Sequence, residues 1–135
     1  DLFTYFTDSK VVTINAQSIK PCTSYYAYFD NFVASMTFED GSLATLTYTA
    51  MGNSAYPKEQ MEVYYDGKVI AMNDYNSLNI YGASGQNLTT KIQDKGHLEE
   101  LKQFACCIKE GTDWPSPLWQ QVQATEIANK VEMLL

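Results

Sequence analysis

Apolar and polar residues alternate from Asn31 to Ala50. Phe32, Ala34, Met36 and Phe38 take one parity and Val33, Ser35, Thr37 and Glu39 the other. After Asp40-Gly41 the pattern resumes, with Ala44, Leu46, Tyr48 and Ala50 set against Leu43, Thr45, Thr47 and Thr49. A repeat of two is the strand signature, and the glycine-bearing break predicts a hairpin. Two turns compete for it. A two-residue turn would pair Phe38 with Leu43 and lay the Phe32/Met36 row against threonines. A three-residue loop, Glu39-Asp40-Gly41 with Gly41 left-handed, pairs Phe38 with Ser42, Met36 with Ala44 and Ala34 with Leu46. The second is preferred because it gathers both apolar rows on one face. Leu43 and the ladder Thr45, Thr47, Thr49 are then left on the other, and something has to meet them.

The rest of the chain follows the same reading. Leu2, Phe3 and Phe6 fall at helical spacing, like the last turns of a helix. Val11 to Ile19 alternates Val11, Thr13 and Asn15 against Val12, Ile14 and Ala16, a first strand. Pro21 to Phe29 carries Tyr25, Tyr26, Tyr28 and Phe29; these rings are expected to pack on the sheet, with sugar stacking as the functional alternative. Glu59 to Tyr65 and Lys68 to Met72 form a second hairpin about Asp66-Gly67. There a two-residue turn pairs Tyr65 with Lys68, Val63 with Ile70 and Met61 with Met72. Asp74 to Tyr81 reads as a further strand and Gly82 to Gln93 as a polar excursion. Two helices close the chain. His97 to Glu110 bears the stripe Leu98, Leu101, Phe104, Ala105 and Ile108 and stops at Gly111. The last helix is announced by Ser116 as cap and Pro117 as first residue, with Ala124, Ile127, Ala128, Val131, Leu134 and Leu135 on its stripe. Strands followed by helices predict an α+β fold, a mainly antiparallel open sheet of about five or six strands with helices on one face.

Composition narrows the function classes. At 135 residues one domain spanning 1–135 is expected, and 45% hydrophobic content describes a folded chain. The net charge is −7, and its 9 basic residues are scattered singly, so nucleic acid is not an expected partner. No apolar run approaches a bilayer span, so no membrane is expected either. The cysteines Cys22, Cys106 and Cys107 are an odd set with two adjacent members. That is a poor disulfide framework, and reduced thiols in the cytoplasm are expected.

Chemistry is sparse. The one histidine, His97 in Asp94-Lys95-Gly96-His97, stands at a helix start. A single histidine with no CxxC spacing argues against zinc. His97 reads first as a helix-start residue and second as a donor facing substrate. Lys58-Glu59 reads as a solvated start to a strand, with Lys58 as another substrate-side candidate. Gly82-Ala83-Ser84-Gly85 precedes no helix and makes no phosphate loop. Neither a nucleophilic triad nor a carboxylate pair emerges from spacing. No catalytic, cofactor-binding or metal-binding residue is assigned.

Taken in order, these pieces resemble a known family. Asn31-Phe32-Val33 through Phe38-Glu39-Asp40-Gly41-Ser42, Ala44-Thr45-Leu46, Tyr48-Thr49, Pro57-Lys58-Glu59, Glu62-Val63, Asp66-Gly67, Asp94-Lys95-Gly96-His97, Glu100-Leu101, Phe104 and Pro115-Ser116-Pro117 are similar to the C-terminal domain of Gfo/Idh/MocA-type oxidoreductases. The likeness runs over nearly the whole chain. It implies an N-terminal Rossmann domain that binds NAD or NADP, lying outside this chain, and hydride transfer to or from a sugar, cyclitol or related polyol. It also implies that the open sheet face makes a homo-oligomer, with Leu43, Thr45, Thr47 and Thr49 as interface candidates. The family's catalytic lysine, aspartate and histidine have no counterpart here; Asp1 matches a later acidic position on the helix that bears the last two. The chain alone is therefore expected to be non-catalytic and to hold no cofactor. The competing expectation is a free-standing carbohydrate-binding or assembly module using Tyr25, Tyr26 and Tyr28.

Overall fold

The first hairpin forms in the register that gathers its apolar rows. In a computed structural model describing residues 1–135, strands β1 (Val11–Ser18), β2 (Asn31–Phe38) and β3 (Leu43–Thr49) make an antiparallel sheet in that order. Met36 faces Ala44 and Ala34 faces Leu46, while the Phe38 N–H donates to the Ser42 carbonyl at 3.0 Å. Gly41 at φ 88° supplies the left-handed residue that the three-residue loop needs. The second hairpin is also as expected. β4 (Gln60–Tyr65) and β5 (Lys68–Asn73) pair Tyr65 with Lys68, Val63 with Ile70 and Met61 with Met72. Asp66 and Gly67 both have positive φ, the signature of a type I′ turn.

β6 (Ser77–Tyr81) and β7 (Leu88–Thr89) extend the second hairpin into a four-stranded antiparallel sheet. The α+β class and the antiparallel pairing stand as expected; the strands number seven and divide into sheets of three and four. β7 is only two residues long, too short to show a period. It is aligned by Asn87, whose Oδ1 accepts the Ile80 N–H at 3.0 Å.

The chain forms two compact units. The first comprises Asp1–Gly52 and Trp114–Leu135, the second Asn53–Asp113. In the first, α1 (Leu2–Thr7) and α3 (Leu118–Leu134) accompany the three-stranded sheet. Its core is Ala34, Met36 and Phe38, exposed by 1–3%, with Val131 of α3. Phe3, Val11, Ile14, Ala16, Phe32, Ala44, Ile127 and Leu135 pack around them. A bulge between Val11 and Thr13 turns Val11 toward this core and leaves Val12 exposed, reversing the parity expected of that pair.

Three other expectations need correction. Pro117, not Ser116, is the capping position of α3: its ψ of 145° is extended, and no side chain caps the helix. The Ser116 carbonyl instead accepts the Gln121 amide at 3.1 Å. Of the rings of 21–29 expected to pack on the sheet, Tyr25, Tyr28 and Phe29 are exposed, Tyr25 by 84%, and Tyr25 with Tyr26 and Tyr28 with Phe29 meet edge to face. The apolar stripe of the helix at 97–110 is not buried within its own unit. α2 (His97–Glu110) belongs to the second unit and buries no residue; Leu98, Leu101 and Ile108 stand exposed.

Candidate functional site

Two regions carry the residues singled out from the sequence, one in each unit. In the first, the sheet face away from the core is an open lattice of small polar side chains. Its rows, set by the pairing, are Thr13–Thr37–Leu43, Asn15–Ser35–Thr45 and Gln17–Val33–Thr47. Leu43, Thr45, Thr47 and Thr49 are all exposed, Leu43 by 70% and the neighbouring Val33 by 50%. The Thr13 and Thr37 hydroxyls hydrogen-bond across the strands at 2.6 Å. Thr49 differs from the other three. Its hydroxyl donates to Oδ1 of buried Asn31 at 2.8 Å and accepts the Met51 N–H at 3.1 Å. It closes the base of the hairpin, so the free part of the ladder is Leu43, Thr45 and Thr47. A face of β-branched and short polar residues is flat, uncharged and rich in hydroxyl partners, well suited to meet another sheet.

The second region holds Lys58 and His97, both exposed. An ion pair links the segments that carry them: Lys95 Nζ lies 2.6 Å from Glu59 Oε1. Lys95 also sits over the Tyr75 ring, 5.5 Å from its centroid. The hydrogen bond to Glu59 raises the Lys95 pKa above its ordinary value, against a smaller opposing effect of burial. The second Glu59 oxygen is buried without a partner, so Glu59 is no solvated strand start. Beside this pair is Asp74. Its Oδ1 accepts the Lys58 N–H at 3.3 Å, the Glu59 N–H at 3.5 Å and the Gln93 side-chain amide at 3.0 Å.

The sequence reading missed Asp74, which is 16 and 15 residues from Lys58 and Glu59, Gln93, which is 19 from Asp74, and the Lys95–Glu59 pair, 36 residues apart. The one local signal was the Asp74-Tyr75-Asn76 run after a strand, a polar turn composition. No group of three or more His, Cys, Asp or Glu side chains is placed to hold a metal. No helix is long and apolar enough to cross a membrane.

No protein-family model matches the chain, and no curated protein matches it by sequence. Solved structures do. UDP-N-acetylglucosamine 3-dehydrogenase GnnA from Acidithiobacillus ferrooxidans superposes in two crystal forms with TM-scores of 0.77 and 0.68, at 17% and 18% identity. The match takes in 99% of this chain and 43% of GnnA. The chain shares the fold of that part of GnnA. WlbA dehydrogenase from Bordetella pertussis, solved with NADH and UDP-GlcNAcA, shares it at a TM-score of 0.53 and 13% identity, over 99% of this chain and 40% of WlbA. The chain therefore spans less than half the length of the dehydrogenases whose fold it shares.

Proposed function

We propose that this chain is the C-terminal, substrate-side and self-association domain of a Gfo/Idh/MocA-like oxidoreductase. The parent enzyme transfers hydride between NAD or NADP and a sugar, cyclitol or related polyol in the cytoplasm. The observation that carries the reading is the superposition on GnnA over 99% of the chain, joined to the ordered motifs of the sequence. The name of GnnA and the UDP-GlcNAcA in the WlbA complex point to a nucleotide-linked sugar as the substrate class. The three free cysteines agree with a reducing compartment. The cofactor does not fit the residues of this chain: its strands are antiparallel, and no glycine-rich turn leads from a strand into a helix N-terminus. Cofactor binding belongs to a Rossmann domain of the parent, and the chain alone does not turn over. Titration with NADH and NADPH should give no binding; tight stoichiometric binding overturns this part of the reading.

In this proposal the threonine face is buried against a second copy across a two-fold contact. Thr47→Lys places a long charged side chain in the middle of that face and should shift the chain toward monomer in sedimentation velocity. A wild-type chain that is monomeric throughout its accessible concentration range refutes the contact. The exposed rings of Tyr25, Tyr28 and Phe29, with Tyr26 against Tyr25, favour one other reading, a free-standing module that stacks carbohydrate rings on them. Loss of sugar binding on Tyr25→Ala, with no change on Lys58→Ala, would select it.

A further inference from the structure

In the second unit, three separate segments meet on one carboxylate. The turn between β5 and β6 runs Asp74-Tyr75 with φ of 52° and 53°, two consecutive left-handed residues without a glycine. Non-glycine residues rarely hold that conformation, and such positions persist where the surroundings fix them. Here the fixing groups are visible. The Asp74 N–H donates to the Glu59 carbonyl at 2.6 Å, and the Asp74 carboxylate accepts both backbone N–H groups of Lys58-Glu59. The Gln93 amide donates to the same carboxylate oxygen, Oδ1, at 3.0 Å and also to the Asp74 carbonyl at 3.1 Å. From Gln93 the chain is held continuously up to the helix: the Asp94 N–H reaches the Tyr75 carbonyl at 3.4 Å, the Gly96 N–H reaches Asp94 Oδ1 at 2.9 Å, and α2 begins with His97.

We infer that Asp74 is a positioning residue that holds Lys58 and the start of α2, with His97, in one fixed arrangement for a sugar-bearing ligand. The inference rests on the reading above in one respect, that Lys58 and His97 face the substrate. It adds that their placement depends on a residue neither of them touches through its own side chain. Lys58 and Glu59 meet Asp74 through their backbone N–H groups, Asp94 meets the turn through its own, and Lys95 interacts with Asp74 through charge. Because Lys95 pairs with Glu59 and Gln93 with Asp74, two polar contacts clasp the segment before α2, and Asp74 is the one that also grips Lys58.

The test separates the carboxylate from the backbone. Asp74→Gly removes the carboxylate while adopting the left-handed turn without strain; Asp74→Asn keeps the oxygen acceptor and tolerates the same conformation. Amide hydrogen exchange of the 135-residue chain is followed at Lys58, Glu59 and residues 93–97, together with binding of UDP-N-acetylglucosamine as probe. Asp74→Gly should raise exchange on both sides of the turn and weaken the probe about tenfold, the factor for one lost hydrogen bond to a charged acceptor. Asp74→Asn should restore most of both. Unchanged exchange at Lys58 or at 93–97 in Asp74→Gly overturns the clasp. Raised exchange with undiminished probe binding overturns the positioning role. Lys58→Ala and His97→Ala against the same probe decide separately whether those two face the ligand, so a failure of that reading is seen apart from a failure of the clasp.

Discussion

The two hairpins carry the same alternation and end in different surroundings. In the first unit the apolar row of β2 is nearly sealed: Ala34, Met36 and Phe38 are 1%, 2% and 3% exposed beneath α3. In the second, the matching row of Met61, Val63, Ile70, Leu78 and Ile80 is half-buried, and Met72 at 9% is its one buried member. The helix of that unit buries nothing. Alternation thus decides which side of a strand is apolar and leaves open what will cover that side. The cover in the first unit comes from residues far along the chain, which meet it through polar contacts as well as apolar ones.

The strongest way to break the comparison is a matched pair of truncations. Met36→Ala removes a side chain from the sealed core and should cost about 2–5 kcal/mol. Met61→Ala, in the half-buried row, should cost about 1 kcal/mol, the worth of partial burial of a similar side chain. Denaturant titration of both variants reads the difference directly. Equal losses would mean that the second row is covered as completely as the first.

A second variant tests how the first unit obtained its cover. Gln123 of α3 is 6% exposed, and all of its polar groups are used. Its amide donates to Thr4 Oγ1 and the Ser9 carbonyl, both at 3.0 Å, and its Oε1 accepts the Val11 N–H at 3.0 Å. One side chain therefore joins α1, the turn after it and the start of β1 to the final helix, while Gln120 reaches Asp8 at 2.8 Å. Gln123→Leu keeps the approximate volume and strands those partners. The expected loss is about 1–3 kcal/mol for buried groups left unpaired. Faster amide exchange at Val11 is the local sign; unchanged exchange there would show that α3 is held by its apolar stripe alone.

These residues mark the limit of what the sequence displays. Both hairpin registers were legible, because a two-fold pattern and a turn composition are local and each restricts the other. The exposed row Leu43, Thr45, Thr47 and Thr49 followed as the complement of the apolar row, but the tying of Thr49 to Asn31 did not. The bulge at Val11 was not legible: it shifts a strand's parity without changing its composition. The burial of Gln120 and Gln123 was hidden for a different reason. Their hydrogen-bond partners lie 112 to 119 residues away, and a glutamine on a helix otherwise reads as solvent-facing. The same holds for Asp74, whose role appears only when Lys58 and Gln93 are brought to it.

The smallest expected effect sharpens the contrast most selectively, because each unit has a charged contact that fails at the opposite end of the pH scale. Asp40, in the first hairpin loop, is held below its ordinary pKa by hydrogen bonds from the Ser42 hydroxyl and then the Ser42 N–H. A depressed carboxylate contributes stability above its unfolded value, about 3.9, and that contribution is lost as pH falls through the folded value. Lys95 is held above its ordinary value by Glu59. A raised ammonium contributes fully below the unfolded lysine value, about 10.4, and the contribution is lost as pH rises through the folded one. Non-exchangeable carbon signals can follow both: the Ser42 side chain for Asp40, and the Met72 methyl, whose sulfur accepts the Tyr75 N–H at 3.2 Å, for the Lys95 corner. The Ser42 signal should move in acid with Met72 still, and Met72 should move in strong alkali with Ser42 still. Lys95→Met should abolish the alkaline step while leaving the acid one in place. A Met72 step that survives Lys95→Met would remove the ion pair from the account of how the second unit holds its helix.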